Sequence, residues 1–115
     1  MLKVINGKTS GFIGKDKLYI GRANGSYLAE SPLANPFIIG RDGDRALVIQ
    51  KYRQWLWHNL KPWKDSGTVN EVVQELLMIR DRVKEGKHTF LVCWCSPQPC
   101  HGDIIIKAVH WLISN

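Results

Sequence analysis

"LVCWCSPQPCHGDIII", Leu91 to Ile106, is the stretch on which the reading of this chain turns. With the residues just before it, His88 to Cys95 is apolar, β-branched or aromatic and carries no charge after Lys87. A run that is apolar on both faces predicts a central, buried strand. Ser96-Pro97-Gln98-Pro99 then predicts a turn. From Cys100 or His101 to Ile113, the residues Ile104, Ile105, Ala108, Val109, Trp111 and Leu112 recur at helical spacing. The stretch is therefore a strand, a tight turn and a helix. All three cysteines of the chain and His101 lie at the junction.

Upstream, Leu2–Ile5 and Leu18–Ile20 read as short strands. Between them, residues 6–17 read as a glycine-punctuated loop, and Asn6-Gly7 suits a tight hairpin turn. Residues 23–42 hold Pro32, Pro36 and two asparagines and no regular pattern. A loop that long in a small domain is usually functional. Asp42 or Asp44 is suited to cap a helix starting at Arg45, whose apolar face is Ala46, Val48, Ile49, Tyr52, Trp55 and Leu56. That helix is expected to stop near Asn59 or Leu60, before Pro62. Thr68 with Glu71 predicts a capping box for a second helix, which carries Val72, Val73, Leu76, Leu77, Ile79 and Val83 and stops near Gly86. Strands that alternate with helices predict an α/β fold: a small Rossmann-like three-layer domain with a short, mostly parallel sheet, in one domain over residues 1–115. The carboxyl ends of parallel strands are the expected ligand edge. Gly21-Arg22 and the cysteine loop should then share one rim.

Composition narrows the class. The net charge of +6 favours anionic partners. From Met1 to Arg22 there are four lysines and one arginine against Asp16 alone. No run has the length of a membrane span, and MLKVINGKTSG lacks the apolar core of a signal peptide. A cytoplasmic setting is the default expectation, with the cysteines reduced.

Three readings of the cysteine loop stay open. In one, Cys93, Cys95, Cys100 and His101 hold zinc, although Cys-x-Cys and an adjacent Cys-His are unusual ligand spacings. In another, Cys100 at a helix N-terminus has a lowered pKa and acts as nucleophile or redox thiol, with His101 moving a proton. Asp103 in the first turn would join them as a catalytic group. In the third, the cysteines are small buried hydrophobes and the turn's N–H groups bind an anion.

"LYIGR", "SPLANPF", "GRDGDRALVIQKYRQWL" and "LVCWCSPQPCHGDII" resemble, in that order, the family catalogued as domain of unknown function 4326. The resemblance runs from about Leu18 to Ile113. Its Cys-x-Cys-x-Pro-x-x-Cys-His ending is specific. A looser similarity links this loop to domain of unknown function 488, in which Cys-His-Arg follows a strand. Together they imply a Rossmann-like fold with a ligand site at this rim, and no particular chemistry. Here Gly102 stands where the resemblance implies a small residue or an arginine. The anion-binding role would then pass to Arg22, Arg41 or Arg45.

Around the loop, Arg22 ends a strand after Gly21, which would let a ligand approach the backbone. Asn35-Pro36-Phe37 is a stiff turn whose Asn35 side chain bonds either the backbone or a ligand. Arg45 opens a helix, and Tyr52 lies two turns along near the same face. Gly40–Arg45 lacks the spaced carboxylates of a calcium loop. Trp57 and Trp63 could stack on bases, although aromatics at a helix end more often pack. The leading expectation is a domain binding a small, nucleotide- or nucleoside-type anionic ligand through Arg22, Asn35, Arg45, Tyr52 and Cys95. Cys100, His101 and Asp103 would be its catalytic groups if it is an enzyme. No cofactor is expected, zinc being the alternative. A nucleic-acid-binding module and a zinc-stabilised interaction domain are the rival classes. A homodimer would suit a tryptophan-rich surface, and no membrane partner is expected.

Overall fold

The structure is a computed structural model that describes residues 1–25 and 27–115. Three parallel strands form the sheet: β1 (Leu2–Asn6), β2 (Lys17–Tyr19) and β3 (Thr89–Cys93). Their order is β1-β3-β2, so the last strand lies between the first two. The apolar run before the cysteine loop is thus the central strand, and Leu91, Val92 and Cys93 are all buried. The register sets Val4 and Leu18 beside Leu91, and Ile5 and Tyr19 beside Val92.

Alternation along the strands separates two faces. On one, Val4, Leu18, Leu91 and Cys93 meet three long helices: α2 (Arg45–Ser66), α3 (Glu71–Lys84) and α4 (His101–Ile113). These contribute Tyr52, Leu56 and Leu60; Val73, Leu76 and Ile79; and Ile105, Val109 and Leu112 to one core. The other face is covered by residues 7–16, which begin with the one-turn helix α1 (Gly7–Ser10). There Phe12 packs on Trp94 at 4.3 Å between ring centroids and edge-on to Tyr19 at 6.0 Å.

Three local expectations are corrected and one open choice is resolved. Asn6-Gly7 makes no hairpin. The Asn6 side chain caps α1 by accepting from Lys8 N–H, and its amide donates to Ser96 O, tying the end of β1 to the cysteine loop. Gly7 is needed there because a Cβ would collide with the Phe12 ring. α2 does not stop before Pro62 but runs through it to Ser66. The proline forfeits one backbone bond. The extra turn brings Trp63 onto Trp111 of α4, and Gly67, at φ 75°, closes the helix by donating to Trp63 O. The cap of α3 is Asn70, not Thr68. Asn70 Oδ1 accepts from Val73 N–H, while the Thr68 hydroxyl meets that of Ser66. Of the two candidate caps for α2, Asp44 takes the role by accepting from Leu47 N–H.

Candidate ligand-binding cleft

The loop after β2, the loop after β3 and the N-termini of α2 and α4 meet at the carboxyl end of the sheet. They enclose a cleft of about 430 Å³. This volume lies within the range of small-molecule sites. Arg22 and the Cys95–His101 segment do share one rim, as the parallel strands require.

The rim is built from the end of β2. Ile20 N–H still donates to Val92 O, so the strand's direction carries one residue past its end. The Tyr19 hydroxyl donates to Arg22 O at 2.6 Å and accepts from Trp94 Nε1 at 2.8 Å. A Cβ on Gly21 would lie 2.4 Å from that hydroxyl. The glycine therefore makes room for Tyr19, and it also lines the cleft. Beyond it, Arg22 Nη2 donates to Asn35 O at 2.8 Å and to Phe37 O at 2.9 Å. One edge of the guanidinium is spent on folding the long loop, and Nη1 and Nε have no partner among the described residues.

Asn35 is the structural alternative of the two weighed above. Its Oδ1 accepts from Phe37 N–H at 2.9 Å and its amide reaches Val48 O. The loop then closes on Asp42, whose carboxylate accepts from Ile38 N–H and pairs with Arg41. The Arg41 bond, then the Ile38 amide, hold this carboxyl below its ordinary range. Arg41 is spent on that pair and does not line the cleft.

Arg45, the first residue of α2, donates through Nη1 to Pro99 O at 3.1 Å. It thereby bolts α2 to the turn before α4. Tyr52 lies beneath the cleft and not in it. It is fully buried, its hydroxyl donates to Leu33 O at 2.7 Å, and its ring meets that of His101 edge-on at 5.0 Å. It therefore supports His101 and offers a ligand no surface.

The cysteine loop wraps the last residue of β3. Cys100 is the N-cap of α4: its sulfur accepts from Gly102 N–H, and its own N–H donates to Asp103 Oδ2 in a capping box. Asp103 thus acts on the helix end rather than on the cleft, which it does not line. A Cβ on Gly102 would strike Val4, so an arginine there could not let α4 settle on β1. The Cys100 S–H donates to Cys93 Sγ at 3.7 Å, and Ser96 N–H donates to the same sulfur at 3.3 Å. The Cys100 bond, aided by the Ser96 and Cys95 amides, lowers the Cys93 thiol to about 6 against the opposing effect of burial. Cys100 is pushed the other way, first by the proton it keeps for Cys93 and then by burial. The lowering expected at Cys100 therefore falls on Cys93. Cys95 is half-buried and lines the cleft.

His101 begins α4 with its Nε2 2.7 Å from Ile20 O. A carbonyl only accepts, so Nε2 carries the proton and Nδ1 is a free acceptor. Nδ1 has no partner among the described residues, yet it is not sealed from solvent. Burial is the largest influence on this ring and lowers its pKa, which keeps it neutral. Among the described residues, no three His, Cys, Asp or Glu side chains converge on a point suited to a metal ion. Engagement of Nε2 with Ile20 and of Cys100 with the helix end accounts for that.

Phe37, Ile38, Ile39, Val48, Ile49 and Trp94 form the apolar wall. Sequence reasoning assigned none of these to the site. Phe37 was the accessible signal, since it follows the rigid Asn35-Pro36 pair. Elsewhere, two of the N-terminal lysines are engaged within the fold. Lys17 bonds the carbonyls of Ser10 and Gly11, and Lys8 lies over Trp94. Among the described residues, no helix is long and apolar enough to cross a membrane.

Fold and rim define a small α/β domain with a parallel sheet and a cleft at its strand ends. Its sequence matches the family described as domain of unknown function (DUF4326) over residues 5–111. The chain belongs to that family. No curated protein and no solved structure matches it.

Proposed function

We propose that the cleft binds a small anionic ligand of nucleotide or nucleoside type. The observation that carries this reading is the presence of both Arg22 and Arg45 in the lining of a cleft that, among the described residues, holds no carboxylate. Each guanidinium is anchored by backbone carbonyls, from Asn35 and Phe37 in one case and Pro99 in the other. Anchoring lowers the entropy lost when the remaining N–H groups engage a ligand. Arginine forks suit phosphate and carboxylate. The wall of Phe37, Ile38, Ile39 and Trp94 offers an apolar surface for a base, and His101 Nδ1 adds one acceptor. Calorimetric titration with nucleoside monophosphates and inorganic phosphate tests this. At least one nucleotide should bind more tightly than phosphate alone, and the R22A/R45A variant should lose that binding. Absence of binding across the panel, or binding indifferent to both arginines, overturns it.

A second reading, catalysis in the same cleft, is favoured by His101. A neutral imidazole with an available Nδ1 is equipped as a general base near neutral pH. Cys93, rather than Cys100, would be the accompanying thiolate. A turnover that survives H101Q unchanged would remove this reading.

A further inference from the structure

We infer that Cys93 and Cys100 form a reversible dithiol–disulfide couple in the lining of the cleft, oxidised by hydroperoxides. The argument is geometric and does not depend on what the cleft binds. The two sulfurs are already in contact at 3.7 Å, although the residues lie seven positions apart. A disulfide at about 2.05 Å needs the sulfurs to approach by less than about 2 Å. Cysteines that only fill a core touch apolar groups. Here Ser96 N–H is directed at one sulfur, Gly102 N–H at the other, and the S–H of Cys100 at Cys93. Such donors favour a thiolate, the form that reacts. Both residues belong to the cleft wall and are nearly closed to solvent, Cys93 at 1% and Cys100 at 3% exposure, which suits an oxidant as small as hydrogen peroxide rather than a bulky one.

The chemistry balances with the peroxide as oxidant. The Cys93 thiolate attacks one peroxide oxygen. An S–O bond forms, the O–O bond breaks, and hydroxide leaves and is protonated to water. The Cys100 sulfur then attacks Cys93. The S–S bond forms, the S–O bond breaks, and the second oxygen leaves as water with the proton of Cys100. Each sulfur gives up one electron and the peroxide takes both. A dithiol reductant reverses the state.

Oxidation would be felt at the rim. Cys100 caps α4 and His101 is the first residue of that helix. In the disulfide Cys100 has no S–H to donate, and its sulfur is a poorer acceptor for Gly102 N–H.

The test uses C95S, which removes the one other cysteine without touching the pair. The full chain is treated with hydrogen peroxide, then examined by intact mass, thiol titration and non-reducing peptide mapping. The expected result is loss of two hydrogens and of both titratable thiols, a peptide joining Cys93 to Cys100 within one chain, and full recovery of thiols with dithiothreitol. The inference is overturned if oxygen atoms accumulate on the cysteines without a cross-link, if the chains become joined to each other, or if both thiols survive peroxide that oxidises the same protein in denaturant. In the wild type, a bridge to Cys95 in preference to the Cys93–Cys100 bridge overturns it as well.

Discussion

Two hollows of similar size lie on this molecule, and they differ in how their polar groups are held. The strand-end cleft encloses about 430 Å³ and the groove between α2 and α4 about 520 Å³. Each offers two cations and aromatic rings, and neither is lined by a carboxylate. In the groove these are Arg53, Lys107, Trp57 and Trp111. Neither Arg53 nor Lys107 has a hydrogen-bond or ion-pair partner among the described residues. The backbone beneath them is spent on the ladders of α2 and α4. In the cleft both arginines are anchored, two helices begin, and two strands give way to loops. Volume and charge do not separate the two regions, whereas preorganisation does. Fixed donors at converging chain ends make a recognition site, and free cations on finished helices make a soluble surface.

The largest expected effect breaks this comparison if it fails. Charge-assisted hydrogen bonds are worth about 1.5–3 kcal/mol each. R22A/R45A should therefore weaken nucleotide binding by roughly 100-fold or more on that scale, while R53A/K107A changes it by less than about 2-fold. Calorimetry at one fixed salt concentration decides. Equal losses from both variants would show that net charge, not anchoring, attracts the ligand.

Next in size is G21A. Its methyl group would have to displace the Tyr19 hydroxyl from Arg22 and Trp94. A cost of about 1–3 kcal/mol in unfolding free energy is expected for such overpacking, together with weaker ligand binding. Denaturant melts that match wild type would mean that the rim does not depend on this contact.

His101 gives the pH dependence. Burial lowers its folded-state pKa below the ordinary value of 6.5, so the unfolded chain binds the proton more readily. The stability it contributes is therefore complete above about pH 6.5 and is lost as the pH falls below that, by at most about 1.4 kcal/mol per pH unit. Between about pH 7.5 and 5.5, the melting temperature should fall further in wild type than in H101Q. Parallel curves would contradict a neutral, partly buried imidazole.

The smallest effect belongs to the groove. Trp57 is 43% exposed and meets Trp111 edge-on at 5.2 Å. W57A should cost about 0.5–1.5 kcal/mol of stability and leave nucleotide affinity unchanged. A loss of affinity would move the site to the helices.

Much of this architecture was legible in the sequence. The double-sided apolar run of β3 announced a central strand, and the spacing of Ile105, Val109 and Leu112 announced the buried stripe of α4. What escaped was settled by tertiary contact. Pro62 continues inside α2 because Trp63 finds Trp111, a partner nearly fifty residues away. Thr68 and Asn70 both satisfy the rule for a cap, and only the entry path of α3 chooses Asn70. Periodicity placed Tyr52 near the face of Arg45 without saying that this face turns inward one turn later. At the rim, the residue types were found and their allegiances only in part: the turn at Asn35 and the helix start at Asp103 were readable, the rest was not. Asn35 and half of Arg22 serve the loop, Asp103 serves the helix end, and the more acidic thiol is Cys93. Asn35 to Phe37 and Asp103 to Cys100 are local bonds, within reach of sequence reasoning. Arg45 to Pro99 and His101 to Ile20 join segments distant in sequence, which spacing along a chain does not encode.

The central claim is that the anchored rim, and not the helical groove, recognises the ligand. Amide and indole NMR shifts, followed while a nucleoside monophosphate is added, test it most directly. The account predicts movement at Arg22, Phe37, Cys95, His101 and Gly102, with the indole signals of Trp57 and Trp111 still. Movement of those two indoles over an unmoved rim, or no movement anywhere across the nucleotide panel, would contradict it.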